Sequence, residues 1–108
     1  MKGDRLGEFE ELTLLAVRAM KGDAYGVPVL QYVEKTTGRR VTIGAIYAAL
    51  ERLEDKGYVR SLIAEARQMR GGRRKRLFQP TPAGIAALEE IQRVRERIWD
   101  VIEAKGRV

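Results

Sequence analysis

The segment from Arg67 to Arg76 constrains this chain more than any other. It holds Arg67, Arg70, Arg73, Arg74, Lys75 and Arg76, with no acidic residue and no Leu, Ile or Val. Gly71 and Gly72 sit side by side in its middle. Such a stretch has nothing to bury and two residues that favour a tight reversal, so it reads as an exposed loop tip. Runs of strand-forming residues flank it, from Tyr58 to Ala66 and at Leu77-Phe78. Together they predict a β-hairpin with a long basic tip. The whole chain carries 21 Lys and Arg against 15 Asp and Glu, a net charge of +6. Six of the basic residues lie in this tip, so the rest of the chain is electrically neutral. Cationic charge concentrated on one loop of a neutral body is a footprint for phosphate, or else a solvated loop that aids solubility.

Helical patterns occupy the chain on both sides of the hairpin. Phe9, Leu12, Leu15, Ala16, Ala19 and Met20 recur at helical spacing and predict a first amphipathic helix from Glu8 to Met20. Asp23 is a candidate N-cap for a second helix through about Lys35, with Pro28 near its first turn, Val29, Leu30 and Val33 inward, and Thr37-Gly38 as its stop. Thr42 is the predicted N-cap of a third helix to Lys56, closed by Gly57. Its apolar face is Ile46, Ala49, Leu50 and Leu53. The opposite face carries Gly44, Ala45, Ala48, Glu51 and Arg52, with Tyr47 on the flank. The first half of that face is nearly bare of side chains, which lets the backbone approach another surface closely; the plainer reading is that Ala simply favours helix.

Thr81-Pro82 predicts the start of a last helix running to about Lys105. Ile91, Val94, Ile98 and Val101 follow a 3-4-3 spacing, the seam of a helix pair. Ile85, Leu88, Trp99 and Ile102 widen the apolar sector beyond what one partner surface covers. A chain of 108 residues has a small core, so this helix is expected to pack on its own domain and on a second copy.

Composition removes most enzymatic readings. The chain has no Cys and no His, which excludes disulfides, thiolate nucleophiles, Ser-His-Asp catalysis and the usual zinc ligand sets. Neither a catalytic site nor a cofactor nor a metal is expected. Asn is also absent, so the bidentate Asn-adenine contact cannot be made. Without a signal-peptide pattern or a spanning apolar run, the expected location is cytoplasmic.

Three helices, a hairpin with a basic tip, and a further helix make up the winged helix-turn-helix plan. The fold class is therefore mainly α with a small β-hairpin: a winged helix-turn-helix over 1–80 and a C-terminal dimerisation helix over 81–108. In this plan the third helix enters the major groove of double-stranded DNA and the wing meets phosphate. Two other partners fit the same plan without operator binding: another protein, or structured RNA.

Several motifs also resemble the PadR family of bacterial transcriptional regulators. They are Gly22-Asp23-Ala24-Tyr25-Gly26, Gly44-Ala45-Ile46-Tyr47, Leu50-Glu51-Arg52-Leu53-Glu54, Gly57-Tyr58-Val59, Gly71-Gly72-Arg73-Arg74 and Thr81-Pro82-Ala83-Gly84. The chain is similar to the shorter members, with a single terminal helix. The resemblance implies a homodimer that binds a roughly palindromic operator, usually to repress a nearby gene. It implies phosphate contacts from Tyr47 and Tyr25 and wing contacts from Arg73 and Arg74, with Thr42, Gly44, Ala45, Ala48, Arg52 and Lys75 completing the expected DNA face. Arg52 has a structural alternative, an ion pair with Glu51, Glu54 or Asp55. Ala45 and Ala48 stand where the family often has Thr and Pro, and their methyl groups suit thymine methyls. The dimer interface is expected to comprise Phe9, Leu12, Ile91, Val94, Ile98, Trp99, Val101 and Ile102. Some family members bind an aromatic effector between subunits. Trp99 is the candidate for such a contact here, or else an anchor of the dimer core.

Overall fold

The computed structural model describes residues 5–64 and 75–106. The order is α1 (Glu8–Met20), α2 (Gly26–Thr37), α3 (Ile43–Asp55), β1 (Val59–Ala64), β2 (Lys75–Pro80) and α4 (Pro82–Gly106). This is the winged-helix plan expected from the sequence. Residues 65–74, with Arg73 and Arg74, lie outside the described residues, while Lys75 and Arg76 of the expected tip belong to β2.

Local chemistry sets most of the boundaries. The Thr42 hydroxyl accepts the Ala45 amide at 3.0 Å and caps α3. Gly38 and Gly57, at φ 73° and 80°, follow α2 and α3 in the left-handed conformation that ends helices. Thr81 accepts the Gly84 amide at 3.0 Å to start α4, and donates to the Gly57 carbonyl at 2.6 Å. That one hydroxyl ties the start of α4 to the end of α3.

Two expectations are corrected. The N-cap of α2 is Tyr25, not Asp23. The Ala24 carbonyl accepts the Phe78 amide of β2 at 2.8 Å. The backbone at Ala24 is thus drawn to the wing, and the helix begins after it. The buried side of α1 also differs. It is Leu14, Ala16 and Val17, together with Glu10 and Thr13. Of the expected stripe only Ala16 is fully buried; Phe9 and Met20 lie at the core edge, and Leu15 is 44% exposed. Two polar residues on the inward face hid the true pattern. Both are satisfied inside: the Thr13 hydroxyl donates to the Phe9 carbonyl at 2.8 Å, and Glu10 is ion-paired.

The core joins Leu14 and Val17 of α1, Val29 and Val33 of α2, and Ile46, Leu50 and Leu53 of α3. Val59 and Phe78 bring in the antiparallel wing strands, paired from Val59↔Pro80 to Ala64↔Lys75. Leu88 adds the start of α4. Gly84 lets α4 approach closely: a β-carbon there would stand 2.2 Å from the Tyr58 carbonyl oxygen. From Gln92 to Gly106 every residue of the helix is exposed in the single chain, and Arg95 pairs with Glu11 of α1 at 3.0 Å.

Candidate nucleic-acid interface

α3 buries Ile46, Ala49, Leu50 and Leu53, as expected, and so turns its other face outward. Gly44, Tyr47, Ala48, Glu51 and Arg52 are exposed and Ala45 is partly so. The first two turns of this face offer methyl groups and backbone, and little else. Thr42 is exposed, but its hydroxyl oxygen is occupied by the cap.

Tyr47 is 40% exposed and leans over the first residue of α2. A β-carbon at Gly26 would lie 2.3 Å from the Tyr47 hydroxyl, so glycine is what admits the phenol. The helix there has no side-chain cap, and its first N–H groups carry the positive end of the helix dipole. Tyr25 adjoins them, and Lys75 Nζ of the wing stands 4.8 Å from its ring centroid. Tyr47, Gly26, Tyr25 and Lys75 thus form a continuous path from α3, across the start of α2, to the base of the wing. An anion placed along it would meet a phenol, uncapped amides and an ammonium group.

The wing is fixed to α3 by one carboxylate. Glu54 accepts the Ser61 hydroxyl of β1 at 2.8 Å and Arg76 Nη2 of β2 at 2.5 Å. The Arg76 guanidinium also lies over the Phe78 ring, 4.9 Å from its centroid. Both strands are therefore held to the helix they flank.

Arg52 is paired, but with none of its sequence neighbours. Its Nε donates to Glu10 of α1 at 2.9 Å, which leaves the outer guanidinium nitrogens half-exposed. Lys56 Nζ reaches the same carboxylate at 2.7 Å, and the Gly7 amide donates to it at 2.9 Å. Burial alone would push the Glu10 carboxyl up; the bonds from Lys56, the Gly7 amide and Arg52 outweigh burial and hold it below the ordinary glutamate value. The inward position of Glu10 on α1 was the missed signal: at 5% exposure, a carboxylate needs cations.

Sequence reasoning also passed over Arg39 and Arg40, in the turn that leads into α3. Arg39 Nη2 pairs with Glu8 at 2.6 Å, which holds that carboxyl low and raises the guanidinium's own value. Arg40 is exposed. Two adjacent arginines just before a helix cap were visible in the sequence, but the larger charge of the wing drew attention from them.

The residues expected at a dimer interface divide in two. Val94, Ile98, Trp99, Val101 and Ile102 are exposed, by 38%, 56%, 61%, 55% and 49%, and Ile91 is partly so. Phe9, by contrast, packs against the chain's own core. Leu12 lines a groove with Leu15, Tyr32 and Val33. A concavity beside α4 is formed by Arg5, Glu90, Ile91, Val94, Arg95 and Ile98, and Trp99 is not part of that lining. Among the described residues, no helix is long and apolar enough to cross a membrane.

Comparison with known proteins agrees with this fold. The model of the transcriptional regulator PadR-like family matches residues 14–90. A transcriptional regulator of Mycobacterium tuberculosis, Rv3488, is 43% identical over 61 residues, which are 56% of this chain and 53% of that protein. The chain thus spans about half the length of this curated relative. A PadR-like regulator of Bacillus cereus, BC4206, superposes with a TM-score of 0.72 at 18% identity, covering 89% of this chain and 88% of the other. Bacillus subtilis PadR, solved in complex with operator DNA, superposes with a TM-score of 0.64 at 21% identity over 78% of this chain and 46% of its own. At such identities the structures speak for the fold, while the family match runs through α1, the helix-turn-helix, the wing and the start of α4, and on that match the chain belongs to the PadR-like family of transcriptional regulators.

Proposed function

We propose that the chain is a homodimeric repressor that binds a pseudo-palindromic operator in double-stranded DNA. The observation that carries this reading is the continuous path from the bare face of α3, through Tyr47, Gly26 and Tyr25, to Lys75 at the wing base. Each half-site would take one α3 in the major groove, where Gly44, Ala45 and Ala48 permit close approach. Tyr47, the α2 amides, Tyr25 and Lys75 would meet phosphate along that path, and Arg73 and Arg74 would extend the contact along the wing. Arg52 would add a phosphate contact through its outer nitrogens while Glu10 fixes its Nε.

The second copy is supported by the free half of α4. This segment carries five exposed large apolar residues and is tied to the domain by an ion pair of Arg95 with Glu11 at 3.0 Å, which gives it little apolar packing of its own. Packing against its symmetry mate gives it a partner surface and sets two α3 helices about one DNA turn apart, roughly 34–36 Å. Trp99 then serves as an interface anchor. Its indole is also the surface on which a flat aromatic effector would stack.

The test is titration into a labelled duplex from upstream of the gene, beside a scrambled duplex, at two salt concentrations. A preference of about 10³ or more for the native duplex is expected. Replacing Arg73 and Arg74 by Ala should weaken binding to both duplexes and flatten the salt dependence; an unchanged slope would remove the wing from the interface. Absence of binding to either duplex at moderate salt would reject the reading in favour of a protein-interaction module, and preference for structured RNA would favour an RNA-binding one.

A further inference from the structure

From the turn between α2 and α3 we infer that Arg40 reads a guanine edge in each half-site and is the principal source of hydrogen-bonded sequence specificity. The inference rests on the DNA-binding reading above and adds to it a residue outside the recognition helix.

The argument starts from a deficit. A reader of base edges needs donors and acceptors on the groove face. Gly44, Ala45 and Ala48 have none. Thr42 accepts the cap bond and keeps only its O–H to donate, Tyr47 leans on α2, and Arg52 is pulled by Glu10 toward α1. Glu51 can accept from a cytosine amino group, against repulsion from the flanking phosphates. The helix can fit the groove and touch thymine methyls, but it carries few groups with which to select a G·C pair.

The turn before it supplies what is lacking. Arg40 lies two residues before the cap Thr42, so their α-carbons are at most about 7.6 Å apart. It is therefore at the end of α3 that enters the groove. Arg40 is exposed, and among the described residues its guanidinium has no hydrogen-bond or ion-pair partner. Its neighbour Arg39 is diverted to Glu8. The backbone beneath it is fixed from both sides. The Thr37 hydroxyl accepts the Arg39 amide at 3.1 Å, and Glu34 Oε2 accepts the Val41 amide at 3.0 Å. Gly38 turns the chain in the left-handed conformation, and Thr42 closes the segment on α3. On a backbone this constrained only the side chain is left to be ordered on docking, and its planar fork matches the paired acceptors guanine O6 and N7.

The experiment selects binding sites from a pool of randomised 30-base-pair duplexes, using the full chain, Arg40→Ala and Arg40→Lys. Because the Arg40 guanidinium has no hydrogen-bond or ion-pair partner among the described residues, both variants should melt with the parent and remain dimeric. The expected result is a parent motif with a guanine at one symmetric position per half-site. Arg40→Ala should lose that preference, bind the parent's best site roughly tenfold or more weakly, and bind sites with that guanine replaced as well as the parent does. Arg40→Lys should recover only part of the preference, since an ammonium cannot make the paired contact. Selection of the same motif by Arg40→Ala, with equal or uniformly reduced affinity, would overturn the inference while leaving the operator reading intact. Failure of the parent to select any motif would overturn both.

Discussion

Shortening Ile98 to Ala tests the second subunit quantitatively. Ile98 is 56% exposed on the free half of α4. Full burial of such a side chain is worth about 1.5–3 kcal/mol, so the portion still open to a partner is worth about 0.8–1.7 kcal/mol. A two-fold axis counts each substitution twice, giving about 1.7–3.4 kcal/mol per dimer. At 1.4 kcal/mol per decade, that weakens association by roughly 15- to 300-fold. Ala keeps the β-carbon, so the lower half of this range is expected. Sedimentation equilibrium over a dilution series measures it, with Arg93→Ala as the control. Arg93 lies on the same stretch but, among the described residues, pairs only with Glu90 of its own helix, at 2.7 Å, and its loss should change association by no more than a few fold. Trp99, the sole tryptophan, gives an independent readout, since its emission should shift to the red as dimers dissociate. If Ile98→Ala and Arg93→Ala behaved alike, or if the parent were monomeric at tens of micromolar, the exposed strip would not be the dimer seam.

Other expectations concern how α1 and α4 hold the recognition helix. Glu10→Ala should cost about 2–3 kcal/mol in urea unfolding at neutral pH and fixed protein concentration, less than a fully buried pair because Arg52 stays half in water. Since the folded carboxyl is held low, its contribution is present above the unfolded carboxylate value and fades as pH falls through the folded one. The gap between parent and Glu10→Ala should therefore narrow below about pH 4; a gap independent of pH would mean the charge is not what stabilises. Gly84→Ala would gain about 1 kcal/mol from helix propensity alone, but its methyl would meet the Tyr58 carbonyl at 2.2 Å, where only backbone can yield. Overpacking should win by about 1–2 kcal/mol and lower the melting temperature by several degrees; a raised melting temperature would contradict the packing described.

What the sequence could reveal depended on how local the cause was. The ends of α3 and the start of α4 were legible because Thr42, Gly57 and Thr81-Pro82 act within a turn of their own positions. The start of α2 was not, because it is set by a hydrogen bond that the Phe78 amide of a distant strand donates to the Ala24 carbonyl. The inward face of α1 was obscured by Glu10 and Thr13, polar residues whose partners are visible only in three dimensions. For the same reason the ion-pair alternative for Arg52 named only nearby acids, although its partner comes from the first helix. The bare face of α3 needed no tertiary knowledge, since small residues at helical spacing define it directly. Tyr47 could be placed on that face, but not its reliance on Gly26, which is a contact between two helices.

The central claim is that two copies present two α3 helices to one face of a duplex. Hydroxyl-radical footprinting of the parent on its preferred duplex tests this most directly. The account predicts two protected patches related by a two-fold axis, centred about 10–10.5 base pairs apart, with wing contacts beside them. A single patch, or protection spread evenly along the duplex, would contradict it.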